Sequence, residues 1–393
     1  MGLDGDTLKR IKIARIVTVP EAFVHIKAFL NFLRTKDCDV TLVSSEGPYA
    51  KVIRGECSME ITSIAIAREI NLIQDLISLF RLTIFFYKNK FDIVHSSTPK
   101  AGLLVAIAGF IARVPVRIHT FTGQRWATLQ GEIRTLLKML DQLIISLNSQ
   151  CYADSASQIE FLIEQGVAEP GKVTCINKGS YGGINTEKFN RARFPNAKTE
   201  LCDELKISDQ SVLILFVGRV TREKGVEELV RAFVESQKKF PKLKLIMVGP
   251  LEPLLDPIDQ EILDIIRDDK NIFSLGFKTN PEKYFSACDI FCLPSYREGF
   301  GTVVLEAAAC GIPTIGTNIP GLKDSVAHGE TGILVPLKDI KALENALTDL
   351  GLDNQKRKLM GENALLRARK DFDSSILAEM QWSEYLRLLS TRS

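Results

Sequence analysis

Two carboxylates, Glu298 and Glu306, bracket a glycine-rich turn in the run Arg297-Glu298-Gly299-Phe300-Gly301-Thr302-Val303-Val304-Leu305-Glu306. From Phe300 onward the apolar residues Val303, Val304, Ala307 and Ala308 recur at helical spacing, and Gly311-Ile312-Pro313 closes the run. The preceding segment, Asp289–Ser295, reads as a buried strand. Gly299 and Gly301 therefore stand where a strand turns into a helix. Unpaired amide N–H groups and the helix dipole make such a place an anion site. Glu306 falls on the helix and Glu298 stays in the loop. An anion flanked by two acceptors suited to hydroxyl groups describes a phosphorylated sugar.

A second loop carries the complementary charge. Gly218-Arg219-Val220-Thr221-Arg222-Glu223-Lys224-Gly225 follows the apolar run Val212–Val217 and precedes a helix beginning near Val226. Gly218 lets the chain turn, and Arg219 and Lys224 set two cations beside a helix start, which suits a diphosphate. Alone, the loop reads nearly as well as a solvated surface turn. Paired with the glutamate segment after another strand of the same domain, it reads as a site. Gly276-Phe277 ends a further strand, where Gly276 admits a flat ring and Phe277 supports a base. A plain strand-end turn is the equal alternative there.

The elements that must position these loops alternate along the chain. Ile13–Val19, Asp39–Ser45, Ile93–Ser97, Val116–Phe121 and Val173–Ile176 read as short strands. Glu21–Arg34, Asn71–Lys88, Lys100–Ala112, Glu132–Asn148 and Ala156–Gln165 read as helices. Near-continuous apolar strands imply a parallel sheet covered on both faces. The polar stretch Asn185–Asp209 reads as the interdomain boundary, and a second alternating series follows it. The spacing predicts an α/β chain of two doubly wound, Rossmann-like domains facing a cleft. Residues 1–190 form an acceptor-binding domain and 191–373 a donor-binding domain, with a helix at 374–393 returning to the first. Ligands of such sheets bind beyond the carboxyl ends of the strands.

Composition narrows the class. The chain has 393 residues, 45% hydrophobic and 25% charged, as in ordinary globular proteins. A net charge of +2 gives no overall field toward nucleic acid. Eight scattered cysteines form no CxxC pair, so a zinc site is not expected. Met1–Asp6 shows no signal-peptide pattern, and reduced thiols are expected. No apolar run reaches transmembrane length. The segment Leu72–Tyr87 has a wide apolar face, which reads as a helix covered within the fold, with a membrane-surface role as the alternative.

The segments Phe216-Val217-Gly218-Arg219, Glu223-Lys224-Gly225, Pro294-Ser295, Glu298-Gly299-Phe300-Gly301, Glu306-Ala307-Ala308-Ala309-Cys310-Gly311-Ile312-Pro313 and Gly329-Glu330-Thr331-Gly332 resemble, in this order, the retaining nucleotide-sugar glycosyltransferases of family 4, which have the GT-B fold. The resemblance implies that Arg219 and Lys224 bind the donor diphosphate, Glu306 the ribose hydroxyls and Glu298 the transferred sugar. Gly218, Gly299, Phe300, Gly301 and Thr302 would complete the phosphate cradle, with Phe277 beside the base. Glu298, Arg219, Lys224 and His119 are the catalytic candidates it suggests. Cations and dipoles aimed at the departing diphosphate lower the barrier and remove the need for a metal or other cofactor.

In the first half, Val94-His95-Ser96-Ser97-Thr98-Pro99-Lys100-Ala101-Gly102 is similar to a segment of the subgroup that builds bacterial surface polysaccharides. Asp154-Ser155-Ala156-Ser157 resembles that family's strand-to-helix turn, and Gly183-Ile184-Asn185 its Gly-Val-Asp. The family's usual Gly-Gly loop after the first strand is here Pro20-Glu21-Ala22-Phe23-Val24-His25. Its strand-end histidine aligns with Thr122, and His119 lies three residues earlier. His119, Thr122 and His25 therefore compete for the place beside the sugar. Lys100, Arg125 and Lys138 are expected to form a basic rim for a lipid diphosphate, with Trp126 on a sugar ring or lipid. A solvated loop with one packed Trp is the alternative.

The resemblance implies a retaining hexosyltransferase. It would move a hexose or N-acetylhexosamine from a UDP or GDP donor to a polyprenyl-diphosphate-linked saccharide, in O-antigen, capsule or related polysaccharide synthesis. The expected location is the cytoplasmic side, in peripheral contact with the inner face of the cell membrane. A nucleotide-sugar epimerase on the same fold and a non-catalytic sugar-nucleotide binder are the alternatives.

Overall fold

Strands apolar on both faces need helices on both sides, and parallel pairing follows from the crossovers this requires. A computed structural model describes residues 10–47, 49–67, 71–254 and 256–391. The Met1–Asp6 segment lies outside the described residues. The strands are β1 Ile11–Ile16, β2 Cys38–Ser44, β3 Ile61–Ser63, β4 Ile93–Ser96, β5 Val116–Phe121, β6 Gln150–Ala153, β7 Val173–Thr174, β8 Val212–Val217, β9 Leu243–Val248, β10 Ile272–Ser274, β11 Ile290–Leu293, β12 Thr314–Thr317 and β13 Gly332–Val335. They form one seven-stranded sheet, β3-β2-β1-β4-β5-β6-β7, and one six-stranded sheet, β10-β9-β8-β11-β12-β13. Every pairing between these strands is parallel.

Each sheet reverses its winding once. The first switches between β1 and β4, the second between β8 and β11. At such a point the flanking connections leave in opposite directions and open a crevice beyond the strand ends. The loops holding Lys224 and Glu298 follow β8 and β11.

The chain divides into two units. One takes the chain up to Asp154, Ile159–Asn177 and the chain from Ser375; the other takes Ser155–Gln158 and Lys178–Ser374. The passage at Asn177–Lys178 comes before the boundary read at 190. Ile184 explains this, because its amide donates to Phe372 O at 2.8 Å and its carbonyl accepts from Ser374 N at 2.9 Å. Sequence patterning does not anticipate β3, β6 and β13, or the helices Tyr49–Cys57, Ala197–Leu205 and Leu322–Ser325. Ala197–Leu205 lies inside the polar stretch taken as a boundary. It buries only Ala197, Leu201 and Cys202, too narrow a stripe to stand out among its charges. The helix expected over Glu21–Arg34 is split into a 3-10 segment, Pro20–Ile26, and an α-helix, Lys27–Leu33.

The C-terminal helix Ser374–Ser390 is anchored in the first unit by buried polar groups. Arg15 Nη1 donates to Tyr385 Oη at 2.7 Å and to His95 Nδ1 at 2.9 Å. Guanidinium cannot accept, so Nδ1 carries no proton and Nε2–H donates to Thr120 Oγ1 at 2.8 Å. Burial keeps His95 well below its usual pKa, with the Arg15 charge acting the same way. Tyr385 also meets the Phe29 ring edge-on at 5.5 Å, and Tyr152 Oη donates to Glu384 at 2.8 Å. Removing the hydroxyl takes one hydrogen bond from buried Arg15 and one from His95 Nδ1, which still bond each other. Tyr385→Phe is therefore expected to lower unfolding stability by about 1–3 kcal/mol, read from chemical denaturation, with no effect on nucleotide binding.

Candidate functional site

The strands β8, β9 and β10 end on glycines laced together by their backbones. Gly218 N–H donates to Val248 O at 3.0 Å, and Gly249 N–H donates to Gly276 O at 2.9 Å. A Cβ on Gly249 would lie 1.7 Å from Gly218 O, so only glycine permits this approach. The loop after β8 then turns upward and ends at Gly225, whose φ of +69° opens the helix Val226–Lys239. There a Cβ would lie 2.0 Å from Pro294 O, at the end of β11. Backbone contact thus presses the cationic loop against the glutamate loop.

Lys224 Nζ and Glu298 Oε1 meet at 2.5 Å across these loops, with side chains 20% and 13% exposed. Sequence reading gives one to the diphosphate and the other to the sugar, and the structure brings them together. Their sequence neighbours pair as well: Arg297 clasps the Glu223 carboxylate at 2.8 and 3.2 Å. Sequence reasoning quotes Glu223 and Arg297 in motifs but assigns neither a role. The available signal was the mirrored order, Glu-Lys on one strand-end loop and Arg-Glu on the other. Arg219 is exposed at the start of the same loop.

Beyond Glu298 the chain enters the helix Thr302–Ala309 through Gly301. Phe300 is buried and packs against Phe372 with ring centroids 5.2 Å apart, so its role is to anchor the turn. Among the described residues no carbonyl accepts from the amides of Gly301, Thr302 or Val303. These are the orphan donors expected at a helix start, beside the Lys224–Glu298 pair. Glu306 lies one turn on, half-buried. Burial pushes its carboxyl up to about 8, with nearby Glu282 pushing the same way and Lys188 opposing. Lys188 sits 3.6 Å from Glu282. Its backbone amide is fixed by Asn185 Oδ1 at 2.8 Å, so Asn185 does locally what an aspartate would. A neutral Glu306 carboxyl both donates and accepts, which suits vicinal hydroxyls. Phe277 is 60% exposed beyond β10, open to a flat ring, and among the described residues it makes no hydrogen bond or ring contact with another site residue.

The first unit corrects several expectations. His119 is not presented to a ligand: it is 1% exposed. Its Nδ1 bonds Ser96 Oγ at 2.9 Å, and its ring meets Phe121 edge-on at 4.6 Å. Burial pushes its pKa down to about 3, so it is neutral. The Lys-Ala-Gly segment serves this packing, since a Cβ on Gly102 would lie 2.4 Å from the His119 ring. Lys100 does not join an open basic rim either, because Asp75 neutralises it at 2.8 Å. Trp126 is buried, donates from Nε1 to Asp141 Oδ2 at 2.7 Å and stacks on Phe161. Lys138 lies over the Trp126 ring at 5.7 Å. Thr122 and Arg125 are exposed past the end of β5, Thr122 Oγ1 donating to Ser97 O at 3.2 Å. His25 is exposed on the 3-10 segment after β1. Of the three competitors for the sugar, Thr122 and His25 keep solvent access and His119 does not.

The chain is similar to known proteins over nearly its whole length. Residues 197–367 match the family described as Glycosyl transferases group 1, and residues 22–185 match Glycosyltransferase Family 4. The capsular polysaccharide biosynthesis glycosyltransferase CapM of Staphylococcus aureus is 34% identical over 96% of this chain and 97% of its own length. An Escherichia coli UDP-Gal:α-D-GlcNAc-diphosphoundecaprenol α-1,3-galactosyltransferase is 27% identical over 91% of this chain and 92% of its own. Among solved structures, Anabaena HepE in complex with UDP superposes with a TM-score of 0.79 at 18% identity, over 96% of this chain and all (100%) of that one. A glycosyltransferase from Rickettsia africae gives a TM-score of 0.80 at 19% identity, over 97% and 99%. These two likenesses concern the fold. Two parallel Rossmann-like sheets, donor-type loops at the switch point of the second and full-length kinship to CapM place the chain among the family 4 glycosyltransferases of GT-B fold.

Proposed function

We propose that this enzyme transfers a hexose or N-acetylhexosamine from a nucleoside diphosphate to a polyprenyl-diphosphate-linked saccharide during surface-polysaccharide assembly. The observation that carries the reading is the meeting of Lys224 and Glu298 beside the open amides of Gly301–Val303, at the switch point of the second sheet. Lys224, Arg219 and those amides would hold the diphosphate. Glu298 would turn to the sugar hydroxyls once phosphate engages Lys224, and Glu306 would take the ribose. The bond from the sugar C1 to the diphosphate oxygen breaks, and a bond to the acceptor oxygen forms on the same face. The acceptor proton passes to the departing phosphate. Charge develops on the leaving group, where the fixed donors and cations are worth most. The lipid-linked acceptor is supported by the E. coli relative, whose name specifies a diphosphoundecaprenol substrate.

Contact with a lipid surface belongs to the same proposal. Among the described residues no helix is long and apolar enough to cross a membrane. The helix Leu72–Asn89 buries only Ser78, Leu82 and Phe86, however, and so departs from the covered helix expected. Leu72, Ile73, Leu76, Phe80 and Tyr87 are between 66% and 75% exposed. Its one acid, Asp75, is held by Lys100, and Arg81 and Lys88 are exposed beside the stripe. An apolar face rimmed by cations is the pattern of a helix lying in an anionic lipid interface.

Four measurements test this. Incubation with UDP-galactose, UDP-N-acetylglucosamine, UDP-N-acetylgalactosamine and GDP-mannose, each with a polyprenyl-diphosphate saccharide, is expected to give a product of retained anomeric configuration. An inverted product, read from proton coupling constants, overturns the mechanism. Lys224→Ala is expected to lower turnover at least a hundredfold. Glu306→Gln separates function from stability. Its folded carboxyl titrates near 8 and its unfolded one near 4.5, so Glu306 destabilises the fold progressively as pH rises between these values. The glutamine variant is expected to gain at least about 1 kcal/mol at pH 7.5 and nothing near pH 4.5, while its donor KM rises. Sedimentation with vesicles is expected to retain the wild type on phosphatidylglycerol and not on phosphatidylcholine, with Leu76→Asp/Phe80→Asp retained on neither.

A further inference from the structure

Glu223 is held at every polar atom it carries. Its N–H donates to Asp256 Oδ2 at 2.7 Å. Its carbonyl accepts from Tyr296 N at 2.8 Å and from Ser295 Oγ at 3.3 Å. Its carboxylate takes the Arg297 guanidinium through two bonds, 2.8 and 3.2 Å, in a pair 28% and 26% exposed. Burial works to raise the Glu223 pKa, but Arg297, with Lys224 and Arg219 behind it, outweighs burial and holds the carboxyl below its usual range. It is ionised at neutral pH.

Two ion pairs therefore join the same two loops in succession, and they are not equivalent. Lys224 and Glu298 are the groups read as meeting the donor. A diphosphate drawn to the Lys224 ammonium competes with Glu298 for its protons, so this pair loosens when the site fills. Glu223 and Arg297 face no such competition. The planar guanidinium fork fixes direction as well as distance, which a lysine in its place would not.

We propose that Glu223 and Arg297 are a positioning pair that keeps Lys224 and Glu298 aimed at one donor after the donor has parted them. The pair touches no reacting atom and acts through the next residue on each loop. It spares the site the entropy of ordering two separate loops at the moment of transfer. This rests on the donor-site reading above.

The test is a double-mutant cycle on the full chain with the same sugar nucleotides. Glu223→Gln and Arg297→Gln are each expected to lower kcat/KM for the donor at least tenfold. The double variant is expected to lie within threefold of the worse single, since either change alone undoes the clasp. Arg297→Lys, which keeps charge but loses the fork, is expected to recover part of the loss. Thermal unfolding of each variant checks that it is folded at the assay temperature. If Arg297→Gln does not fold, the cycle of Glu223→Gln with Arg297→Lys carries the same comparison. Multiplying effects in the double variant overturn the proposal. So does a kcat/KM within threefold of wild type accompanied by a fall in Tm, which marks a structural brace. Failure of the underlying site reading looks different: Lys224→Ala then turns over the donor like wild type.

Discussion

A carbonyl oxygen at the end of one strand lies 2.0 Å from where a side chain at residue 225 would begin. The proposed donor site depends on this crowding of Gly225 against Pro294. It forces the loop after β8 to close on the loop after β11, and so sets Lys224 within reach of Glu298. The same device recurs one strand over, where Gly249 admits the carbonyl of Gly218. Backbone packing at strand ends is stiff in a way that long charged side chains are not. On the proposed reading, the lysine and glutamate exchange partners while the frame that carries them stays in place.

The two loops of the proposed donor site were legible in the sequence as loops because each is local. Each loop is one unbroken stretch of residues, bounded by an apolar strand before and an amphipathic helix after. The periodicities placed β8 at its observed bounds, β11 within the run read as a buried strand, and the helix Val226–Lys239 at its observed start. The pairing of the loops with each other was not legible, because it depends on strand order. Nothing in the chain states that β11 lies beside β8.

The first half was read less well for a different reason. A histidine on an apolar strand looks the same whether it ends in a pocket or in the core, and burial decides. His119 is sealed by Gly102, Ser96 and Phe121, and Trp126 by Asp141 and Phe161. Both found partners on other elements, and His119 a further one, Phe121, on its own strand. The exposed stripe of the helix Leu72–Asn89 was read only as the alternative, for the converse reason. Hydrophobic periodicity marks a face as apolar and leaves open whether anything covers it.

The anchoring of the C-terminal helix sets an order of events in the life of the chain. Arg15 and His95 belong to the part synthesised first, and their shared partner, Tyr385, lies 370 residues beyond Arg15. Until that tyrosine emerges from the ribosome, a guanidinium and an imidazole in the centre of the first sheet lack one of their native hydrogen-bond partners. The unit holding Lys178–Ser374 has its whole sequence available sooner. The half of the enzyme that is made first is thus the last to be finished. A nascent or truncated chain would combine a completed nucleotide-binding half with an open, aggregation-prone partner.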